Sequence, residues 1–136
     1  MAGSSEPQAA FERGLQLART GRYFEAHEEF ELAWRAAPAE ERDFYQGLVH
    51  VVVAWYQAGR GNTVGCGRQL EKATRRLAPY SPSHRGVPVA TLLEDLTNAR
   101  QRVGQGSLDL AEPDGFQQPL HGDTQPPVAV EEEQQP

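Results

Sequence analysis

The sequence predicts an all-α domain of about five helices, in which an antiparallel helical hairpin packs against a central buried helix. Three observations predict this fold class. Apolar residues recur at helical spacing in five successive segments between residues 9 and 103. Glycine, proline or asparagine separates these segments where helices are expected to end or begin. No segment of the chain requires a strand.

The composition predicts one soluble, cytosolic domain with a tail. A chain of 136 residues, 38% hydrophobic, is long enough for a single core, and its one cysteine excludes an internal disulfide. It has neither a leader-like apolar segment nor a run of about 18 apolar residues. All 13 basic residues precede Gly104, whereas 7 of the 19 acidic residues follow it. We expect a frayed start at residues 1–8, the domain at residues 9–103, and a disordered, acidic, Gln/Pro/Glu-rich tail at residues 104–136.

The first two helices form the predicted hairpin. The first runs from about Ala9 to Thr20 and ends at Gly21, a residue suited to the left-handed turn that follows a helix. The second begins almost at once and runs to about Ala36, with its aromatic residues on one side and its glutamates toward the other. Because the connection is so short, the two helices should pack antiparallel.

The third helix is predicted to be the central one. Pro38 followed by Glu40 and Glu41 is a helix-opening pattern, because acidic side chains favour the positive end of the helix dipole. The segment that runs to about Ala58 is apolar on nearly every side, which a small domain tolerates only in a buried element. Its valine run is also compatible with a strand, but the length and the flanking acids favour a helix.

The fourth and fifth helices follow clear boundaries. Asn62 is a predicted N-cap, so the fourth helix occupies residues 63–77. Gly65 and Gly67 lower its helix propensity, and we attribute them to close helix contact. After a loop bracketed by prolines, the fifth helix occupies residues 89–103.

One stripe of the second helix combines ionisable and aromatic side chains. His27, Glu31 and Trp34 are spaced four and three residues apart, so they project from the same side of a helix. A carboxylate with aromatic neighbours loses part of its hydration, and an unpaired buried charge is strongly destabilising. We therefore expect Glu31 to have a partner, which is His27, a metal ion or a donor on the third helix.

The motifs around this stripe resemble a known family. They are HisXXXGluXXTrp at residues 27–34, ArgAspPheTyrGlnGlyLeu at 42–48, AlaTrpTyr at 54–56, GlyAsn at 61–62 and LeuGluLysAla at 70–73. In combination they resemble the bacterial and archaeal family catalogued as domain of unknown function 309, over roughly residues 10–103. The resemblance implies an all-helical architecture but no activity. It also implies metal binding at His27 and Glu31, with Trp34 as the accompanying aromatic residue.

The sequence departs from the family pattern on the third helix. Family members read Gln where this chain has His50, and His where it has Gln57. These positions lie two turns, or about 10 Å, apart, so their side chains cannot serve the same small ion. Two interpretations of the polar residues Gln46, His50 and Gln57 remain. They line a pocket opposite His27, or they form the solvated edge of the helix.

Two function classes remain open from the sequence. The first is a site for a divalent metal ion or a small ligand, with His27 and Glu31 as its direct ligands. Only these two donors are in register, whereas a closed structural zinc site has four. Further residues predicted to line this site are Glu28, Trp34, Tyr45, Gln46 and His50. The second class is a non-catalytic helical protein-interaction module, in which the same pair is a structural polar cluster.

Catalysis, nucleic-acid binding and a repeat array are less favoured. An acid–base role for the His27 and Glu31 pair would need a hydroxyl group such as that of Tyr45 or Tyr56, and the chain has no nucleophile elbow, phosphate loop or oxyanion site.

The basic stretch at residues 60–85 is mostly the outer side of an amphipathic helix. A solvated face, or a dock for the acidic tail, is therefore favoured over nucleic acid. The hairpin is similar to tetratricopeptide-like units, but only one such hairpin is found.

Three other residues with reactive side chains receive no functional role. Cys66 lies on the inner stripe of the fourth helix, where a small apolar filler is the ordinary interpretation. His84 and His121 fall in the predicted loop and tail.

Overall fold

The computed structural model describes residues 6–117 and contains six α-helices in that range. They are α1 (Glu6–Arg19), α2 (Tyr23–Ala36), α3 (Ala39–Gly59), α4 (Thr63–Leu77), α5 (Val89–Gly104) and α6 (Asp114–Gln117). A short 3-10 helix at Ala78–Tyr80 follows α4. The predicted all-α class is confirmed, and the first five helices match the five predicted ones. The N-terminal helix begins at Glu6, three residues before the predicted start of the domain.

Successive helices pack against each other through short connections. α2 lies against both α1 and α3, and α4 lies against both α3 and α5. Two of the turns use left-handed glycines, with φ of 78° at Gly21 and 76° at Gly61. After Gly21 the backbone N–H of Arg22 bonds back to the carbonyl of Leu17 at 3.0 Å, which satisfies a carbonyl that the helix end leaves open.

α3 is the central helix of the described fold. It packs between α2 and α4, and most of its aromatic and aliphatic side chains are buried. The buried residues of α3 are Phe44, Tyr45, Gly47, Leu48, Val49, Val51, Val52, Ala54 and Trp55. An apolar surface on several sides is stable in water only when neighbouring helices cover it, which accounts for the position of α3.

The glycines of α3 and α4 have different surroundings. A Cβ atom at Gly47 would lie 2.6 Å from both Cγ and Cδ2 of Leu77, so α3 and α4 meet closely at this position. A Cβ at Gly67 would meet nothing within 4 Å, and one at Gly65 would meet the capping side chain of Asn62 at 2.6 Å. The expected close helix contact is therefore wrong for Gly65 and Gly67 and occurs instead at Gly47.

Alanine substitutions at two of these glycines should change stability in opposite directions. Gly67→Ala should raise the free energy of unfolding by up to about 1 kcal/mol, because it improves helix propensity without a clash. Gly47→Ala should lower it by about 1 to 3 kcal/mol, because the new methyl group overpacks against Leu77. Urea unfolding of both variants measures the difference, and shifts of the same sign would contradict the assigned contact.

After α5 the chain returns to the helices as a segment that we call the C-terminal strap, residues 105–117. The indole Nε1 of Trp55 donates to the carbonyl of Ala111 at 3.0 Å. The ring of Phe116 is 1% exposed and stacks against Phe30 with 6.4 Å between centroids. The strap therefore covers part of the core.

The last turn of the strap is held by two polar contacts. Arg19 Nε donates to the carbonyl of Phe116 at 2.9 Å, and Oδ2 of Asp95 accepts the backbone N–H of Gly115 at 2.8 Å. Burial raises the pKa of Asp95, and backbone hydrogen bonds from Gly115 and Asp114 only partly oppose this effect.

The predicted start of the tail at residue 104 is corrected by the strap. Residues 105–117 belong to the folded part, because a few anchoring side chains hold a segment whose average composition is polar. The remainder of the predicted tail, residues 118–136, lies outside the described residues, as do residues 1–5.

Candidate functional site

His27 and Glu31 lie one turn apart on α2 and contact each other. His27 Nε2 is 3.2 Å from Glu31 Oε2, and the two side chains are 22% and 32% exposed. Arg35, one turn further along, places Nη2 3.2 Å from Glu31 Oε1. Glu31 is thus shared between an imidazole and a guanidinium group of its own helix, rather than paired with a donor on α3.

The contact made by the second ring nitrogen of His27, Nδ1, determines which of the two nitrogens carries the hydrogen. Nδ1 lies 3.1 Å from the carbonyl oxygen of Phe24. Because a carbonyl only accepts hydrogen bonds, this contact assigns the hydrogen to Nδ1. In the neutral ring, Nε2 then presents a lone pair to the carboxylate of Glu31. Two such atoms 3.2 Å apart are stabilised by a cation between them, which is either a proton or a metal ion.

A cleft of about 180 Å³ opens beside His27, between α2 and α3. Its lining residues are Phe24, His27, Val53, Tyr56 and Gln57, and we call it the α2–α3 cleft. The ring of Phe24 contacts the rings of both His27 and Tyr56, with 5.2 Å between centroids in each case. The cleft is smaller than a pocket for a drug-sized molecule, so it suits a single ring or a group of similar size.

Two polar contacts order the rim of the cleft on the side of α3. The amide of Gln57 accepts a hydrogen bond from Asn62 Nδ2 at 2.9 Å, while Asn62 caps α4 by accepting the N–H of Gly65 at 2.9 Å. The guanidinium group of Arg60 lies 5.6 Å from the ring centroid of Tyr56. The predicted N-cap is therefore confirmed, and it also positions a residue of the cleft.

The α2–α3 cleft is lined by none of the five further residues predicted for the site. Trp34 packs against the core and lies beneath the guanidinium group of Arg42 at 5.0 Å. Tyr45 is 1% exposed, and burial is the main reason that its pKa is raised. Glu28 is exposed and Gln46 is half-buried on α3. Of the three polar residues at positions 46, 50 and 57, only Gln57 lines the cleft. The sequence pattern therefore did not identify which residues form the cleft.

His50 faces α4 instead of His27. Its Nδ1 lies 2.7 Å from Oε1 of Gln69. Burial lowers the pKa of His50, and the nearby cations of α4 lower it further, although the hydrogen bond with Gln69 acts in the opposite direction. The only histidine on α3 therefore belongs to a different face of the domain from the α2–α3 cleft.

A cluster that the sequence did not predict joins α3 to the loop before α5. Oε1 of Glu41 accepts hydrogen bonds from His84 Nε2 at 2.8 Å and from Arg85 Nε at 2.7 Å. The imidazole of His84 contacts the rings of both Phe44 and Tyr80, at centroid distances of 4.6 Å and 4.8 Å. We call Glu41, His84 and Arg85 the loop anchor.

The electrostatics of the loop anchor favour an ionised glutamate. Burial acts to raise the pKa of Glu41, but hydrogen bonds and charges from Arg85 and His84 outweigh it, so the pKa is lowered. Arg85 has a φ of 51°, an unfavourable backbone conformation for a residue with a side chain. No spacing in the sequence marks this cluster, since its partners come from separate elements.

The N-terminal half of the chain is similar to known proteins. Residues 11–68 match the model of a family described as a domain of unknown function, DUF309. The chain is 32% identical over 82 residues to the uncharacterized protein YpuF of Bacillus subtilis (strain 168), an alignment that covers 60% of this chain and 45% of YpuF. No solved structure gives a significant match.

The described residues 6–117 contain neither a candidate membrane span nor a larger group of metal-binding side chains. In that range no helix is long and apolar enough to cross a membrane. The same residues contain no group of three or more His, Cys, Asp or Glu side chains placed to hold a metal ion.

The family match includes both halves of the candidate site, because α2 and α3 lie within it. It confirms the resemblance noted from the sequence over a shorter range than residues 10–103. Residues 11–68 of this chain are therefore similar to the domain of unknown function family 309.

Proposed function

We propose that this domain binds a small ligand in the α2–α3 cleft with the help of a divalent metal ion held by His27 and Glu31. The observation that carries the proposal is the 3.2 Å separation of Nε2 and Oε2, with Nδ1 directed to the carbonyl of Phe24. Histidines that bind metals commonly donate their other ring N–H to a carbonyl or carboxylate, which orients the ring and exposes the lone pair.

The donor set fits a borderline divalent ion such as Zn²⁺. One imidazole nitrogen and one carboxylate oxygen are both common zinc ligands. Arg35 contacts the other carboxylate oxygen, Oε1, and so leaves Oε2 on the side of His27. Two protein donors leave further coordination positions to water or to the ligand, and the ion would hold that ligand at the polar end of the cleft.

The walls of the cleft indicate the chemical class of the ligand. Phe24 and Tyr56 contribute aromatic rings to the lining and Val53 contributes an aliphatic side chain, so the body of the ligand is flat and apolar. A ligand that also coordinates the ion needs an oxygen or nitrogen donor at one end. A small aromatic carboxylate has both properties.

Calorimetric titration of the full chain with Zn²⁺ tests the metal site. We expect a saturable binding event that His27→Ala and Glu31→Gln each weaken by at least about tenfold, because each removes one of two donors. His50→Gln is the matched control, since that imidazole lies outside the cleft and should leave the affinity unchanged. Equal affinities in wild type and both cleft variants would refute the proposed metal site.

A gain of affinity provides a second test. Gln57 lines the cleft beside His27. We expect Gln57→His to strengthen Zn²⁺ binding, because it supplies a third donor, whereas Val53→His on the same wall tests whether any added imidazole has this effect. No gain from Gln57→His would place the ion away from the cleft.

A second candidate function is a non-catalytic helical module that binds another protein. The exposed side chain of Phe24, 48% accessible on α2, favours this alternative, because exposed aromatic residues often anchor protein contacts. In this case Glu31 needs no ion, since His27 and Arg35 already pair with it. His27→Ala and Glu31→Gln would then lower thermal stability without changing Zn²⁺ binding.

A further inference from the structure

The outer side of α4 carries cations without acidic partners in the described part of the chain. Arg68, Lys72 and Arg75 follow each other at intervals of four and three residues, so they form one stripe along the helix. We call these three residues the cationic stripe. Within residues 6–117, none of them has a carboxylate within 4.0 Å, whereas the neighbouring Arg76 pairs with Asp43 at 2.6 Å.

The local acid on α4 does not neutralise the stripe. Glu71 is the only acidic residue of this helix, and it forms no ion pair within the described residues. Like charges one turn apart repel each other on a helix surface. The effect extends to α3, because Lys72, Arg76 and Arg75 add to burial in lowering the pKa of His50. A group of carboxylates placed on the stripe would relieve this repulsion.

We propose that the acidic run Glu131–Glu133 of the same chain docks on the cationic stripe. These glutamates lie outside the described residues, in a segment that has four acidic residues and neither lysine nor arginine after Gln117. Three adjacent carboxylates match three cations in number and opposite charge. The occupant is thus a segment of this chain, and a nucleic acid or a second copy is the competing outcome.

The length of the chain permits this contact. The segment from Gln117 to Glu131 can extend to about 45 Å at roughly 3.3 Å per residue. A domain of this size has a radius of gyration of about 13 Å, so every face lies within reach. Each exposed ion pair is weak alone, but attachment to the same chain raises the effective concentration of the glutamates to the millimolar range.

Zero-length crosslinking of the full chain tests the docking. Lys72 is the only lysine in the sequence, so a carbodiimide can join its amine to a nearby carboxylate at one defined position. We expect peptide mass spectrometry to find an amide bond between Lys72 and one of Glu131–Glu133 in monomeric protein. Lys72→Arg should abolish this product, because a guanidinium group does not form the amide.

Removing positive charges from the cationic stripe shows whether the crosslink depends on docking or on random collision. The double variant Arg68→Gln/Arg75→Gln keeps the reactive lysine and should lower the crosslink yield several-fold. Raising the salt concentration from about 0.1 M to about 1 M should do the same, because the screening length falls from about 10 Å to about 3 Å. An unchanged yield in either case, a product that joins two copies, or amides only to other carboxylates would overturn the proposal.

Discussion

Phe116→Ala is expected to lower the free energy of unfolding by about 3 kcal/mol, which is the lower end of the usual cost of removing a buried phenylalanine ring. The ring is 1% exposed and stacks against Phe30 in the core. We choose the lower end because the strap, residues 105–117, can partly detach and so limit the size of the cavity. Denaturant unfolding of the wild type and the variant measures the difference.

Phe24→Ala is the matched control for this prediction. It removes the same ring from a side chain that is 48% exposed, so it should cost less than about 1 kcal/mol. Equal losses in the two variants would show that Phe116 does not anchor the strap. A larger loss for Phe116 would support the assignment of residues 105–117 to the folded part of the chain.

Glu41→Ala is expected to lower the free energy of unfolding by about 2 kcal/mol near neutral pH. The substitution leaves His84 and Arg85 of the loop anchor without their shared carboxylate, and Glu41 itself is only 14% exposed. Removing one partner of a fully buried pair costs about 3 to 5 kcal/mol. We reduce this figure because the side chain of Arg85 is 37% exposed and is partly screened by water.

The free energy of unfolding that Glu41→Ala removes should become smaller at acidic pH. The pKa of Glu41 is lower in the folded protein than its ordinary value, so its contribution is fully present above the ordinary glutamate pKa. It is lost as the pH falls through the lowered value, so the wild type and Glu41→Ala should approach each other in acid. Glu40→Ala, at the exposed neighbouring position, should have little effect at either pH. A difference that stays constant in acid would contradict the assigned ion pair.

The sequence predicted the features that depend on local spacing. The helix boundaries follow from periodicity and from signals such as Asn62, whose cap also occurs in the structure. The contact between His27 and Glu31 is likewise local, because residues four apart on one helix are neighbours whatever the fold. The central position of α3 followed from an apolar surface that only a buried helix can carry.

The sequence did not predict features that depend on how distant elements meet. The register of α2 against α3 brings Gln57 to the cleft and turns His50 toward α4, and side-chain spacing on one helix contains no information about this register. His84 was assigned no role because its partner Glu41 lies in another element. The strap was missed because average composition does not reveal the effect of a single buried ring such as that of Phe116.

The strap also has a consequence for the order of events during translation. A nascent polypeptide that extends only through α4 already contains the contacts of α1 with α2, of α2 with α3 and of α3 with α4, and such local contacts form early. It lacks Phe116, so the side of Phe30 that faces this ring is still in water. The ribosome must therefore release the strap before the N-terminal hairpin acquires its full cover.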